Sequence, residues 1–235
     1  MPQSPLTPSG TAPIVTIDGP SGSGKGTISR AVAKHAGWHL LDSGALYRLV
    51  ALAGTHQGVS PDDPDGHARV AATMDVVFGI NALGGELVTL AGRDVTADIR
   101  TETAGQGASR VAAWPVVRTA LLERQRAFAA PPGLVADGRD MGTVVFPQAD
   151  LKIFLTATPE ERAQRRYKQL KDKGSAVTLA ALSREIAERD LRDQTRTVSP
   201  LKAAPDACVI DSTGMPVEVV VGRVLELGAA RRLWP

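Results

Sequence analysis

The stretch "TIDGPSGSGKGTISRAV", residues Thr16–Val32, decides the fold of this chain. An apolar strand leads directly into a glycine-rich turn with a lysine, and a helical pattern follows. Such a turn directs backbone N–H groups toward one point, and the helix adds its positive N-terminal end. The stretch therefore predicts a phosphate-binding loop, whose usual pattern is G-x-x-x-x-G-K-[ST]. Here Gly26 stands where that pattern has its hydroxyl residue, and the hydroxyl follows at Thr27.

The glycines of this loop are predicted to allow positive φ angles and a close approach of the backbone to phosphate. Lys25 is expected to reach the outer phosphates of a nucleotide as a positive charge. The expected nucleotide contacts are Gly19, Pro20, Ser21, Gly22, Ser23, Gly24, Lys25, Gly26 and Thr27. The chain shows no N-K-x-D stretch of the kind that reads guanine, which argues against a switch GTPase.

Short apolar runs alternate with helical patterns along the rest of the chain. Several runs are apolar almost throughout, as strands buried on both faces of a parallel sheet are. The sequence therefore predicts an α/β fold of the phosphate-loop kinase type, with a five-stranded parallel sheet flanked by helices. The five predicted strands are "PIVTID" (Pro13–Asp18), "WHLLD" (Trp38–Asp42), "GLVADG" (Gly133–Gly138), "LKIFLTA" (Leu151–Ala157) and "ACVIDS" (Ala207–Ser212).

Residues 59–104 interrupt this alternation. "SPDDPDG" is predicted to be a loop, and "MDVVFGI", "GELVTLAG" and "RDVTADI" to be the strands of a small antiparallel meander. We expect a disordered tail at 1–12 and a single kinase domain at 13–235. Within that domain the predicted parts are a core (13–42, 105–157 and 201–235), an insert at about 43–104 that binds a monophosphate, and a lid at about 158–200.

Bulk composition excludes several classes of protein. The 235 residues carry a net charge of +2 and only 4% aromatic residues, which disfavours nucleic-acid binding. Without a secretory signal or a run of about 18 apolar residues, no membrane association is expected. The single cysteine, Cys208, excludes an intrachain disulfide and fits a cytoplasmic location. No long apolar stripe demands a partner, so a monomer is predicted.

A second charged cluster occurs in "VADGRDMGTVVFP", where Asp137, Arg139 and Asp140 follow a buried strand. Arg139 is suited to bind a phosphate with two N–H groups, and Asp140 to accept a hydrogen bond from an amino group. Asp137 is positioned like the acid that holds Mg²⁺ in phosphate-loop enzymes. We therefore predict a metal site from Thr27 and Asp137, directly or through water.

"LLDSGALYR" adds Ser43 and Arg48 at the same edge of the sheet. The alternative is a helix N-cap at Asp42 or Ser43 beside a solvated arginine. Further along the chain, Ser109 and Arg118 flank a predicted helix start near Pro115, where a solvated face is the alternative.

Two predicted helices carry the lid arginines, Arg162, Arg165, Arg166, Arg189, Arg192 and Arg196. Their spacing places them on shared faces. Surface ion pairs with neighbouring acids are the alternative explanation. The transition state of phosphoryl transfer spreads charge over its equatorial oxygens, which arginines stabilise. The predicted catalytic residues are therefore Lys25, Arg162, Arg166, Arg189 and Arg196. None of the four histidines has the setting of a catalytic base.

Taken together, these motifs resemble the bacterial cytidylate kinase family. The resemblance runs from Pro13 to Asp211, and "LLDSG" and "DGRDMGT" are its most specific pieces. It implies transfer of the ATP γ-phosphate to CMP or dCMP, with Mg²⁺. It also implies that Ser43 and Asp193 contact the ribose and that Arg189 supports ribose and phosphate. The remaining implied contacts are with the monophosphate (Arg48, Arg139, Arg196) and with cytosine (Ser109, Arg118, Asp140).

Two other functions stay open at this point. One is a kinase of the same fold that acts on another small acceptor, such as a different nucleotide or shikimate. The other is a nucleotide-regulated module whose arginines follow a nucleic-acid backbone.

Overall fold

A five-stranded parallel sheet forms the centre of the protein. The computed structural model describes residues 12–81, 85–172, 174 and 176–234. Its strands are β1 (Ile14–Asp18), β2 (His39–Asp42), β3 (Val76–Ile80), β4 (Glu86–Leu90), β5 (Arg93–Asp94), β6 (Leu134–Gly138), β7 (Leu151–Thr156) and β8 (Cys208–Asp211). Its α-helices are α1 (Lys25–Ala36), α2 (Ser43–His56), α3 (Pro64–Thr73), α4 (Glu102–Val111), α5 (Pro115–Arg126), α6 (Pro159–Asp172), α7 (Leu179–Thr195) and α8 (Val217–Ala230).

The parallel sheet has the strand order β2-β6-β1-β7-β8, and each neighbouring pair is parallel. All five strands predicted from the apolar runs are present, with bounds that differ by no more than one residue. The fold class is therefore confirmed. Because β1 lies in the middle of the order, the loop that follows it opens at the centre of the sheet edge, where α/β proteins bind ligands.

Helices cover both faces of the sheet, and the alternation of side chains along each strand divides the core accordingly. On β6, Val135 faces one cluster with Val15 and Ile17 of β1, which packs under α1 and α8. Leu134 and Ala136 face the other cluster, which packs under α2 to α5. This two-sided burial explains why the strands are apolar at nearly every position.

The insert differs from its prediction in two places. β3 and β4 form the expected antiparallel pair, but β5 has only two residues. The Asp94 carboxylate accepts hydrogen bonds from the N–H and the hydroxyl of Thr96 and so turns the chain, after which Asp98–Arg100 form a short 3₁₀-helix. Val95 and Ile99 are buried and lie four residues apart, which is a helical spacing. The letters "RDVTADI" also alternate as a strand does, and this alternation led to the wrong prediction.

The predicted loop "SPDDPDG" is a loop at residues 60–63, but its last three residues already belong to α3. The Asp63 carboxylate accepts a hydrogen bond from the N–H of Gly66, and Pro64 occupies the first helical position. The predicted tail, residues 1–12, lies outside the described residues apart from Ala12. Among the described helices, none is both long and apolar enough to cross a bilayer.

Candidate active site

A cavity of about 600 Å³ opens at the carboxyl edge of the parallel sheet, between the phosphate loop, α2, α4, α5 and the pair α6–α7. It brings together nearly all residues that the sequence singled out. Those that line it are Ser21, Gly22, Ser23, Gly24, Lys25, Gly26, Thr27, Ser43, Arg48, Ser109, Arg118, Asp137, Arg139, Asp140, Arg165, Arg166, Arg189, Asp193 and Arg196. Gly19, Pro20, Arg162 and Arg192 are not among the lining residues.

Lys25, the first residue of α1, is 6% exposed, and its Nζ donates to the Pro20 carbonyl oxygen at 2.8 Å. Burial lowers the pKa of this ammonium to about 7, and the nearby positive charges of Arg139 and Arg189 contribute. An anion that enters the cavity offsets this repulsion between the positive charges. Pro20 and Gly19 therefore support the loop without lining the cavity. The Pro20 carbonyl accepts the hydrogen bond from Lys25, and Gly19 packs closely on β7.

Gly26 lies inside α1 and does not have a positive φ, contrary to its prediction. Its lack of a side chain matters for a different reason. A Cβ at position 26 would lie 3.3 Å from the Oδ2 atom of Asp137, at the end of β6. A serine or threonine at this position would crowd that carboxylate. The departure from the usual loop pattern thus makes room for an acid.

Asp137 itself is a half-buried carboxylate beside the phosphate loop, at the end of the strand next to β1. Burial raises its pKa to about 6, although Lys25 acts in the opposite direction. In the described part of the chain, no group of three or more histidines, cysteines or acids could hold a metal ion by itself. A carboxylate and a hydroxyl beside a phosphate loop instead suit Mg²⁺, which binds through one or two protein oxygens together with phosphates and water. Asp137 and Thr27 fit that role.

α2 begins with an N-cap at Asp42, whose carboxylate accepts from the N–H of Ala45 at 2.9 Å. The capping alternative is therefore correct for Asp42, whereas Ser43 does not cap the helix and lines the cavity. Arg48 lies one turn further on, with its Nη1 3.9 Å from the Oδ2 of Asp42. Burial works to raise the pKa of Asp42, but Arg48 and Arg100 outweigh it and keep that pKa below its usual value. Arg48 is thus held at the cavity wall.

Arg139 and Asp193 form an ion pair across the cavity, from the end of β6 to α7. The Nε of Arg139 donates to the Oδ2 of Asp193 at 2.8 Å. Burial works against ionisation of Asp193, but Arg139 holds its pKa below the usual value. Asp193 engages only the Nε–H group of the Arg139 guanidinium, so other N–H groups of that side chain remain for an anion.

Arg118 and Asp140 form a second, deeply buried ion pair, with side chains 8% and 3% exposed. Asp140 stands at the start of a short π-helical turn, Met141–Val145. The carboxylate of Asp18 accepts from the N–H groups of Met141 and Gly142, both at 2.8 Å, and so fastens this turn to β1. The position of Asp140 is therefore fixed from the strand that also carries the phosphate loop.

Three polar side-chain atoms beside the cavity are buried and, within the described part of the chain, have no hydrogen-bond partner. They are Ser109 Oγ, Arg189 Nε and Arg196 Nη2. Buried polar groups are nearly always satisfied in folded proteins, so such a cluster indicates a site that a polar ligand completes. Burial, with help from Arg139, lowers the pKa of Arg189 to about 10, which an anionic ligand would reverse.

Two lid arginines reach the cavity from α6. Arg165 donates from Nη1 to Ser212 Oγ at 3.1 Å and from Nη2 to the Ser212 carbonyl at 2.6 Å. Arg166 pairs with Glu102, at the start of α4. Arg192 lines a neighbouring cavity between α4 and α7, together with Arg189 and Arg196. The six arginines are therefore not equivalent.

Arg162 requires a correction, because its side chain does not reach the cavity. It is 3% exposed and forms a two-point ion pair with Asp190 of α7, with Nη1 2.9 Å from Oδ1. Its other N–H groups donate to the carbonyl oxygens of Ala157 and Ser21. Because all these donors are used inside the protein, Arg162 joins α6, α7 and the phosphate loop and has no free pair of N–H groups for a phosphate.

We expect Asp190→Ala to lower the free energy of unfolding by about 3–5 kcal/mol, because it leaves the buried Arg162 charge unpaired. Urea unfolding measures this loss. The control is Glu123→Ala, which removes an exposed partner of Arg126 and should cost no more than about 1 kcal/mol. Equal losses in the two variants would contradict a structural role for the Arg162–Asp190 pair.

Three side chains that contact the site residues were not predicted as members of the site. Gln125 of α5 accepts a hydrogen bond from Ser43. Arg100 joins Asp42 to Glu86 of β4 and so ties the small sheet to α2. Asp18 was visible as an acid directly before the loop, but Gln125 and Arg100 carry no local sequence signal, because their partners lie 82 and 58 residues away.

Comparison with known proteins gives a consistent result. The family model described as "Cytidylate kinase" matches residues 15–229. A cytidylate kinase of Aeromonas salmonicida is 57% identical over 214 residues, which cover 91% of this chain and 93% of that protein. A cytidylate kinase of Stutzerimonas stutzeri is 58% identical over 222 residues, which cover 94% and 97% respectively. A third, from Azotobacter vinelandii, is 56% identical over 221 residues, with 94% and 96% covered.

Proposed function

The chain belongs to the cytidylate kinase family, and we propose that it transfers the γ-phosphate of ATP to CMP or dCMP in the cavity described above. The observation that carries this proposal is that the cavity joins two unlike walls. One wall is a phosphate loop with Lys25, and the other carries Ser43, Arg139 and Asp140, which are suited to a sugar, a phosphate and a base. A donor and an acceptor nucleotide therefore meet at the carboxyl edge of one sheet.

The donor half of the site is the phosphate loop. Its N–H groups and the N-terminus of α1 hold the phosphates of ATP, and Lys25 leaves the Pro20 carbonyl to contact the outer phosphates. This contact neutralises charge on the γ-phosphate and restores the ammonium to its ordinary pKa. Positioning and charge neutralisation are the main contributions that a protein makes to phosphoryl transfer.

Magnesium is the second part of the proposal. Thr27 and Asp137 would hold the ion at the loop, with water between carboxylate and metal where the geometry requires it. Bound there, Mg²⁺ neutralises the charge that develops on the bridging oxygens of ATP. Asp137 serves this purpose as a carboxylate, and the positive charge of Lys25 opposes the rise of its pKa that burial causes.

The acceptor half of the site presents the monophosphate to the donor. Arg48, Arg139 and Arg196 bind the CMP phosphate, whose anionic oxygen attacks the γ-phosphorus from the side opposite ADP. The new O–P bond forms as the bond to the β,γ-bridging oxygen breaks, and that electron pair leaves with ADP. Because the nucleophile is already an anion, no side chain needs to remove a proton.

The arginines of α6 and α7 complete the site as a lid. Arg166 and Arg189 are proposed to stabilise the transferring group, while Arg162 holds the two helices and the loop together. Exclusion of water by such a lid protects ATP from hydrolysis. The division into core, insert and lid, a monomeric state and a cytoplasmic location belong to the same proposal and rest on the sequence patterns given above.

A substrate screen tests the function directly. Formation of ADP from ATP is measured with CMP, dCMP, UMP, AMP, GMP and shikimate, in the presence of Mg²⁺ and again with EDTA. We expect CMP and dCMP to be phosphorylated far faster than the others, and EDTA to abolish turnover. A wide preference for another acceptor would overturn the base assignment. Tight RNA binding without kinase activity would favour the nucleic-acid alternative.

A further inference from the structure

Gln125 stands directly behind the acceptor wall of the cavity. It lies on α5, is 1% exposed and does not line the cavity itself. Its Oε1 accepts a hydrogen bond from the Oγ of Ser43 at 2.8 Å. Ser43 is also buried, at 3% exposure, and lines the cavity from the first turn of α2. The pair therefore connects a residue of the site to a residue that cannot touch a ligand.

The orientation of the Gln125 amide is set by its own helix. Its Nε2 donates to the carbonyl oxygen of Leu121 at 3.4 Å. The reversed amide would place a carbonyl oxygen against the Leu121 oxygen, so Oε1 is the atom that faces Ser43. An amide oxygen only accepts hydrogen bonds, and the contact to Ser43 must use the hydroxyl proton of that serine.

This arrangement fixes the chemistry of Ser43 toward the cavity. A serine hydroxyl has one proton and two lone pairs. With the proton held by Gln125, only lone pairs point to the ligand. A phosphate oxygen or a base carbonyl would then meet an acceptor and be repelled, whereas a hydroxyl or an amino group would be bound.

We infer that Gln125 is a positioning residue that makes Ser43 a hydrogen-bond acceptor for a ribose hydroxyl of the acceptor nucleotide. The inference rests on the proposed function and makes its acceptor site more specific. Cytosine is assigned to Asp140 and Arg118, and the phosphate to arginines, so the sugar is the remaining part of the nucleotide with protons to donate. Gln125 thereby discriminates against ligands that place an acceptor at this point.

The test is a double-mutant cycle on Ser43 and Gln125. Gln125→Met keeps the length of the side chain but frees the Ser43 proton, and Ser43→Ala removes the hydroxyl. Each single variant should raise KM for CMP about tenfold, with KM for ATP unchanged, as expected for the loss of one hydrogen bond. Gln125 also hydrogen-bonds Tyr47, a second residue that lines the cavity, so the cycle is measured in a Tyr47→Phe background. There the double variant should be no worse than Ser43→Ala alone, because Gln125 then acts only through Ser43. Additive effects would overturn the inference.

Two further variants keep the test decisive if Gln125→Met folds poorly. Gln125→Glu, protonated in a site that is 1% exposed, keeps an acceptor oxygen for Ser43 and a donor for the Leu121 carbonyl, so its KM for CMP should stay within about twofold of that of the original protein. Gln125→Asn keeps the amide but is one methylene shorter, so it should behave like Gln125→Met. Equal KM values for CMP in Gln125→Glu and Gln125→Asn would contradict a role through the Ser43 hydrogen bond. Thermal midpoints measured alongside separate loss of fold from loss of recognition.

Deoxynucleotides identify the hydroxyl. With dCMP and 3′-deoxy-CMP as acceptors, the penalty of Gln125→Met should disappear for the analogue that lacks the partner of Ser43. A full penalty with both analogues would overturn the ribose assignment. If the unmodified protein fails to phosphorylate CMP at all, the proposed function fails; if it does so and Gln125→Met has no effect on KM, only this inference fails.

Discussion

Replacing Lys25 with methionine should lower kcat by at least about 10²–10³-fold, with CMP as acceptor and the fold intact. Lys25 is the one cation inside the phosphate loop, where it is 6% exposed and faces the cavity. Its loss removes charge from the γ-phosphate in the transition state, and methionine keeps the length and the packing of the side chain. Steady-state kinetics and circular dichroism measure the two effects separately.

The free energy of unfolding of Lys25→Met is expected to differ from that of the original protein by an amount that depends on pH. In the folded protein the pKa of Lys25 is lowered to about 7, from 10.5 in a model compound. The unfolded chain therefore binds this proton more tightly, which destabilises the fold fully below about pH 7 and not at all above about pH 10.5. Lys25→Met should thus be more stable than the original at pH 6, and the difference should shrink as pH rises.

Proton uptake on ATP binding gives an independent check. Bound phosphates restore the pKa of the ammonium, so the protein should take up protons when ATP binds above about pH 7. Calorimetric titrations in two buffers of different ionisation enthalpy count those protons, and Lys25→Met should lose them. Lys25→Arg is the matched control, since it keeps a charge that does not titrate in this range. Uptake that persists in both variants would assign it to another group, and near-normal turnover of Lys25→Met would contradict the mechanism.

The parallel sheet was predictable because its signal is local. Each of the five strands is an apolar run, and the middle strands are buried on both faces of the sheet. The errors arose where the same letters allow two periods. "RDVTADI" alternates like a strand, yet its Val95 and Ile99 are buried one helical turn apart, and the Asp94–Thr96 turn decides the outcome.

The site residues were predictable because charged groups at the end of a buried strand need a function or a partner. The sequence alone does not tell, for each charged residue, whether it binds a ligand or pairs with another side chain of the protein. Arg162 and Arg166 are four residues apart on one helix, yet the first is committed to Asp190, whereas the second lines the cavity. Gln125 and Ser43 meet only because α5 and α2 share one core, in which α5 packs on α3 and on the turn Met141–Val145, so no motif could pair them.

Asp140→Asn should lower kcat/KM for CMP about 100-fold while raising the relative rate with UMP. The carboxylate of Asp140 only accepts hydrogen bonds, which suits the exocyclic amino group of cytosine and repels the carbonyl that uracil has there. An asparagine amide offers a donor as well, so the ratio of CMP to UMP turnover should fall. Asp140 is 2% exposed, and the lack of competing water makes this contact strong.

Asp193→Asn is the matched control for this change of specificity. Asp193 is likewise a buried carboxylate of the cavity paired with an arginine, Arg139 in place of Arg118. Because it is assigned to the ribose, its amide variant should weaken CMP and UMP equally and leave their ratio unchanged. Both variants leave a buried arginine unpaired, so stability and ATP affinity, measured for each, correct for that shared cost. A fall of CMP and UMP by the same factor in Asp140→Asn would show that Asp140 only supports Arg118, whereas a changed ratio confined to Asp140→Asn places base selection on this carboxylate.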